Sequence, residues 1–112
     1  MFLIAIALAA STSPERWVEV GMTDGSREYL DRASVTRNGT TVTLWKQRQL
    51  PSNSGFVWTE LELDCSRRTD TVLAWVRDED GAVTHNVDRP HREAAPIVAG
   101  TAEEAIFNLV CR

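Results

Sequence analysis

Two histidines and two acidic residues close together in the chain are the first candidates for chemistry. His85, Asp88 and His91, with Glu93 nearby, carry donor atoms of the kinds that bind zinc. Because the predicted strand here runs into a loop that contains proline, the spacing does not place three donors on one face. We therefore expect two solvated histidines beside a turn. The alternative function is a small periplasmic metal-binding protein or enzyme that uses His85, Asp88 and His91.

A pair of glutamates on one predicted strand is a second candidate. Glu60 and Glu62 share a strand face, as a general acid and a general base can. Lys46 is expected opposite Glu60, which favours a solvated, salt-bridged face. The sequence also contains no G-x-S-x-G motif and no glycine-rich phosphate loop. We therefore predict a protein that is not an enzyme and that binds no metal or other cofactor.

The first ten residues, MFLIAIALAA, are set apart from the rest of the chain. Residues 2–10 carry no charged or polar side chain, and Ala7-Leu8-Ala9 has the small-x-small pattern that precedes a signal-peptidase cut. This pattern predicts a signal peptide over residues 1–10 and one domain over residues 11–112. Because no cysteine lies near the cleavage region, we expect an exported protein without a lipid anchor, periplasmic or extracellular.

The predicted export bears on the oxidation state of the two cysteines. Cys65 and Cys111 are too far apart for a C-x-x-C redox pair and too few for a multi-cysteine zinc site. In an oxidising compartment, an even pair most economically forms one disulfide. We therefore predict a structural bridge between Cys65 and Cys111.

The composition indicates a small folded domain and disfavours two classes of protein. With 112 residues, 43% of them hydrophobic and 25% charged, the chain has room for one globular domain. Its formal net charge of −4 disfavours a nucleic-acid-binding protein, which needs a basic face. No apolar run approaches the ~20 residues of a membrane-spanning helix. Composition does not specify the oligomeric state.

The elements that would position these residues are mostly strands. β-Rich runs predict strands over residues 17–21, 27–31, 40–50, 56–65, 71–77 and 82–87, with a further strand beginning at Val35. Asn38-Gly39 is a strong hairpin signal, because both positions accept a positive φ. Pro90 and Pro96 exclude central strand pairing between residues 88 and 100. Short turns between successive strands predict an antiparallel meander of about six strands.

One helix is predicted, at the C-terminal end. Thr101 as N-cap and Glu104 at the third helical position form a capping box. Apolar residues follow with helical spacing at Ala102, Ala105, Ile106, Leu109 and Val110. Since a helix this short is not stable alone, it must dock on the sheet, where Cys111 would fasten it. The predicted fold class is α+β: an antiparallel sheet with a C-terminal helix packed on one face and tied by a disulfide.

A register argument predicts which sheet face the helix covers. If residues 51–55 form the loop of a hairpin, Leu50 lies opposite Phe56. One face then carries Trp45, Leu61, Leu63 and Cys65, and the helix should cover it. The opposite, open face then pairs Lys46 with Glu60 and Arg48 with Trp58. On that face, Trp58, Arg48 and Phe56 are the candidate partner-binding residues. For the next strand, Leu73 and Trp75, or Val72, Ala74 and Val76, point inward, and both registers stay open.

A set of residues spread over nearly the whole mature chain points to a known family. They are Trp17, Tyr29-Leu30-Asp31, Ser34-Val35, Arg37, Val42-x-Leu44-Trp45, Glu62-Leu63-Asp64-Cys65, Pro96, Gly100-Thr101 and Val110-Cys111. At these positions the chain resembles the surface-adhesin protein E family of Gram-negative bacteria. The resemblance implies an antiparallel sheet of about six strands with a disulfide-tethered C-terminal helix. For the founding adhesin it implies binding to host proteins such as laminin, vitronectin and plasminogen. We therefore expect a non-catalytic binding module that presents a sheet face to an envelope or host-matrix protein.

Overall fold

The described residues form one antiparallel sheet and a helix near the C-terminal end. The computed structural model describes residues 16–23, 25–86 and 93–112, and the predicted signal peptide over residues 1–10 lies outside this part. The strands are β1 (Trp17–Thr23), β2 (Ser26–Asn38), β3 (Thr41–Gln49), β4 (Gly55–Asp64), β5 (Thr69–Glu79), β6 (Ala82–Asn86) and β7 (Ala95–Pro96). Strands β1 to β6 lie side by side in chain order, and β7 pairs with the start of β5. The predicted meander is confirmed.

Strand β2 joins two runs that the sequence predicts as separate strands. A β-bulge between Asp31 and Thr36 lets one long strand continue through the irregular stretch. Ser34 supports the bulge, because its hydroxyl donates to the Asp31 carbonyl at 2.7 Å and accepts the Trp45 N–H at 2.8 Å. The strand ends in a hairpin where one is predicted, but the two-residue turn is Gly39-Thr40 and not Asn38-Gly39. Asn38 is the last residue of β2 and pairs with Thr41, and of the two predicted turn residues only Gly39 has a positive φ, +65°.

The pairing of β3 with β4 differs by one residue from the prediction. Gly55 belongs to β4 instead of the loop, and its carbonyl accepts the N–H of Leu50 at 2.8 Å. A side chain does not fit at this position, since a Cβ on Gly55 would lie 1.8 Å from the Asp78 carbonyl oxygen. Trp45 therefore lies opposite Glu60 and not opposite Leu61. Because side chains alternate along a strand, this one-residue shift exchanges the faces of β3 relative to β4.

The helix α1 (Ala102–Val110) covers the face that carries the aliphatic side chains. The core consists of Leu30, Val42, Leu44, Leu61, Leu63, Ile106, Phe107 and Val110. Burial of Leu61 and Leu63 against the helix is as predicted. The predicted burial of Trp45 on this face is wrong, because Leu44 takes that position and Trp45 points the other way.

The helix begins at the predicted N-cap. The Thr101 hydroxyl accepts the Glu104 N–H at 3.3 Å, and the Glu104 carboxylate accepts the Gly100 N–H at 3.0 Å. Immediately after the helix, Cys111 forms the predicted disulfide with Cys65, with their Cα atoms 5.4 Å apart. The bridge fastens the end of α1 to the end of β4.

Strand β5 combines the two registers that the sequence leaves open. A bulge in its pairing with β4 lies between Glu60 and Leu61. Val72 is paired with Leu61, and Trp75 with Thr59, so both lie on the helix-covered face. Either register alone puts only one of these two residues inward.

Candidate partner-binding surface

The sheet face away from the helix is rich in aromatic side chains. The strand pairing places five of them there, which together we call the aromatic face: Trp17, Tyr29, Trp45, Phe56 and Trp58. All five are half-buried. The two other aromatic residues in the described part of the chain, Trp75 and Phe107, belong to the helix side.

A row of alternating aromatic and acidic side chains crosses the middle of this face. Successive strands bring Trp17, Asp31, Trp45 and Glu60 opposite one another. Trp58 precedes Glu60 by two residues on β4 and therefore projects from the same face. Glu60 thus has one tryptophan across the strand pair and another along its own strand.

The first acidic side chain of the row, Asp31, is paired with a cation of the same chain, Arg16. The Arg16 guanidinium lies 5.3 Å from the ring centre of Trp17. It donates from Nε to one carboxylate oxygen of Asp31 at 3.0 Å and from Nη2 to the other at 3.1 Å. These hydrogen bonds and the negative charge of Asp31 raise the pKa of the Arg16 guanidinium above its ordinary value. An indole and a carboxylate together hold a guanidinium here by stacking and by a bidentate ion pair.

Two of the three predicted partner-binding residues lie together on the aromatic face. The ring centres of Phe56 and Trp58 are 5.6 Å apart, with planes inclined by 36°. The third, Arg48, lies opposite Val57 on the helix-covered face. The predicted Arg48–Trp58 and Lys46–Glu60 pairings are therefore wrong, and the one-residue shift of β3 against β4 is the reason.

Sequence reasoning missed most of the aromatic face. The predicted register puts Trp45 inside, and the sequence patterns assign Trp17 and Tyr29 to neither face. The residue that could have revealed this face is Gly55. If Gly55 is counted as a strand residue and not as part of the loop, the register shifts by one residue and Trp45 lies beside Trp58.

Acidic side chains outnumber basic ones on this face. The strand pairing places six carboxylates there, at Glu19, Asp31, Glu60, Glu62, Asp64 and Asp78, and one arginine, Arg27. Arg16 adds a second basic group where it pairs with Asp31. The aromatic face therefore attracts cations more than anions.

A partly buried ion cluster lies on the helix-covered face. The Lys46 ammonium donates to Glu28 at 2.6 Å and to Glu103 at 2.5 Å, and the Thr23 hydroxyl also donates to Glu28. Burial lowers the pKa of Lys46, but the two carboxylates outweigh it and raise the pKa above 10.5. Burial raises the pKa of Glu28, yet the hydrogen bonds from Lys46 and Thr23 hold it below 4.5. The cluster joins β2, β3 and α1, so we interpret it as structural.

A groove of about 440 Å³ lies beside Lys46 on the same face. Its lining includes the apolar side chains of Val57 and Val72 and the charged side chains of Arg48 and Asp70. Burial and the nearby Glu103 raise the pKa of Asp70, while Lys46 acts in the opposite direction. The groove is thus of mixed character, with both signs of charge and apolar walls.

The alternative metal site falls only partly on the described residues. His85 and Glu93 are exposed, and Asp88 and His91 lie outside the described part. Within residues 16–23, 25–86 and 93–112, no three histidine, cysteine or acidic side chains gather as metal ligands. In those same ranges, no helix is long and apolar enough to cross a membrane.

The fold and this surface define a class of small α+β domain, in which a disulfide-tethered helix covers one face of a meander sheet and aromatic side chains line the other. Residues 17–112 match the family model of surface-adhesin protein E, and the chain belongs to that family. The family resemblance read from the sequence is confirmed.

Solved structures of Haemophilus influenzae protein E share the fold. One matches with a TM-score of 0.67 and 11% identity, covering 88% of this chain and 86% of the other. A second, from non-typeable Haemophilus influenzae, matches with a TM-score of 0.64 and 12% identity, covering 88% and 77%. No curated protein sequence matches this chain. At such low identity, the structural likeness concerns the fold alone.

Proposed function

We propose that this chain is an exported, non-catalytic binding module whose aromatic face contacts a protein of the envelope or the host matrix. The observation that carries the proposal is the placement of five aromatic side chains on the sheet face opposite the helix. In the described residues, every other regular element longer than one turn is a strand of this same sheet, so none packs over that face. Aromatic side chains are enriched in protein–protein contacts, and these five keep part of their surface accessible.

Two exposed aliphatic side chains extend this surface toward its edges. Met22 on β1 is 60% exposed and Val83 on β6 is 59% exposed. Their strand partners, Arg27 and Asp78, belong to the same face. Phe56 and Trp58 are the proposed centre of the contact, while Arg48, which lines the groove on the other side, is assigned no contact.

Membership of a surface-adhesin family and the disulfide both support export, since disulfides persist in oxidising compartments. The mature protein should begin near Ala10 or Ser11. Intact-mass measurement on protein purified from its native host tests this directly. A mass that includes Met1 and the apolar residues after it would contradict export by signal-peptide cleavage.

Binding is tested on immobilised mature protein with laminin, vitronectin and solubilised envelope proteins as analytes. Trp58→Ala should lower the affinity for the captured partner by about tenfold or more, as the loss of a central aromatic residue does in other interfaces. The matched control is Leu109→Ala, which removes an apolar side chain, 43% exposed, from the helix side. It should leave affinity within about twofold. Equal losses of affinity in the two variants would mean that the partner does not contact the aromatic face. Circular dichroism checks that both variants fold.

A metal assay tests the non-catalytic part of the proposal. We expect mature protein from its native host to contain no stoichiometric zinc or copper. Stoichiometric metal that is lost in His85→Ala would favour the alternative metal-binding function.

A further inference from the structure

The aromatic face contains two arrangements of tryptophan around a carboxylate, and only one of them holds a cation from the described residues. In the first, Arg16 stacks on Trp17 and pairs with Asp31. In the second, Glu60 lies between Trp45 and Trp58. The ion pairs of the described residues include none to Glu60.

The second arrangement repeats the chemistry of the first. Trp45 is directly opposite Glu60, which brings their Cβ atoms to about 4.5–5.5 Å. Trp58 lies two residues along β4 from Glu60, about 6.6 Å away on the same face. Both indoles and the carboxylate are half-buried, so each keeps surface that a ligand can reach.

We infer that Trp45, Trp58 and Glu60 form a socket for an arginine side chain of the protein partner, which rests on the proposed function of the aromatic face. A planar guanidinium can stack on an indole while it donates two hydrogen bonds to a carboxylate, as Arg16 does. A lysine ammonium cannot pair in this bidentate way. The partner is therefore a polypeptide segment that exposes arginine.

The charge of the surrounding face favours the same partner. Six carboxylates and two arginines share this face, and one arginine is already paired with Asp31. An arginine-bearing segment approaching the socket is attracted by the rest of the face, whereas an acidic segment is repelled.

The test uses two blocked tripeptides, acetyl-Gly-Arg-Gly-amide and acetyl-Gly-Lys-Gly-amide, titrated into the mature protein. The readout is the NMR position of the indole N–H signals of Trp45 and Trp58. We expect the arginine peptide to shift both signals saturably and to bind about two- to fivefold more tightly than the lysine peptide. A Trp75 signal that does not move serves as an internal reference, since Trp75 lies on the other face.

Two conservative variants separate the socket from general attraction of cations. Glu60→Gln should weaken the arginine peptide about two- to fivefold, the range of an exposed ion pair. Glu62→Gln is the matched control, because Glu62 lies on the same strand and face but opposite Thr43 and Thr71. It should weaken the arginine peptide less than Glu60→Gln does, because it removes only general attraction and no direct ion pair. If the two variants lower the affinity for the arginine peptide equally, or if the arginine and lysine peptides bind equally tightly, the socket does not exist.

The outcomes distinguish this inference from the proposed function. If Trp58→Ala abolishes partner binding but the arginine peptide moves neither indole signal, the socket is wrong and the binding face stands. If the peptide binds while Trp58→Ala leaves partner binding intact, the socket stands and the proposed function fails. If sedimentation shows a dimer that Trp58→Ala dissociates, a second copy occupies the face and the inference is overturned.

Discussion

Trp45 and Glu60 lie directly opposite each other on β3 and β4, on the sheet face that the helix leaves uncovered. This pairing determines which side chains of β3 and β4 share each face of the sheet. It sends Leu44 and Leu61 together into the core, and it places Trp45 in line with Trp17 and beside Trp58. The aromatic residues of the sheet therefore lie mainly outside, while the core is mostly aliphatic.

The first prediction compares neighbouring residues on opposite faces. Leu44→Ala should lower the free energy of unfolding by about 2–5 kcal/mol, because it leaves a cavity in a fully buried site. Trp45→Ala should cost about 1 kcal/mol, since its side chain is half-buried on the open face. Urea unfolding followed by circular dichroism measures both. A larger cost for Trp45→Ala would mean that the faces are exchanged.

The second prediction concerns the glycine that determines the register. Gly55→Ala should destabilise the protein by about 2–4 kcal/mol, because its Cβ would collide with the Asp78 carbonyl oxygen. Gly39→Ala is the control, since Gly39 also has a positive φ but open space around it. It should cost about 1–2 kcal/mol. Similar melting temperatures for the two variants would argue against the close contact between β4 and β5.

The third prediction concerns the ion cluster around Lys46. Lys46→Met should lower stability at pH 7 by about 3 kcal/mol, because Glu28 and Glu103 lose their shared partner in a partly buried site. Arg77→Met, which breaks the more exposed pair with Glu79, should cost about 1 kcal/mol or less. Thermal unfolding of both variants provides the comparison.

The pH dependence of the Lys46 variant follows from the same pKa shifts. The pKa of Glu28 is held below 4.5 in the folded protein, so its stabilising contribution is present above pH 4.5 and is lost as pH falls through the folded pKa. The gap between wild type and Lys46→Met should therefore narrow below about pH 4. A gap that stays constant from pH 7 to pH 2 would contradict an ionic role for Lys46.

The fourth prediction concerns Asp70 in the groove. Burial and Glu103 raise its pKa above 3.8, so its ionisation opposes folding as pH rises above that value. Asp70→Asn should therefore raise the melting temperature at pH 7, and this gain should disappear below pH 3.8, where wild type is protonated in both states. A lower melting temperature at pH 7 would show that the carboxylate makes a stabilising contact.

The fifth prediction concerns the disulfide. Its cysteines are separated by 46 residues, so the chain-entropy model assigns the bridge about 4 kcal/mol. The double variant Cys65→Ser/Cys111→Ser should keep most of its strand content but show faster amide exchange over Ala102–Val110 than over β3 and β4. Peptide mapping without reductant checks the bridge itself. Two free thiols in exported protein would contradict it.

Local patterns in the sequence determined the elements and their order. Three signals act over a few residues or through one bond and could be recognised without a structure: the capping box of Thr101 and Glu104, the cysteine pair, and the hairpin at Gly39. The turn itself lies one residue later than predicted, at Gly39-Thr40. Alternation along a single strand likewise placed Phe56 and Trp58 on one face. Two of the five residues of the aromatic face could therefore be predicted from the sequence, because they share β4.

Only the tertiary structure decided which side chains meet across strands. Trp45 and Glu60 come together because the close approach of Gly55 to β5 and its hydrogen bond with Leu50 make Gly55 part of β4. A shift of one residue leaves every local propensity unchanged, yet it exchanges the two faces of a strand. The contact of Arg16 with Trp17 and Asp31 likewise depends on the pairing of β1 with β2. Strand register is a property of the packed sheet, and for that reason the composition of the aromatic face was not readable from the chain alone.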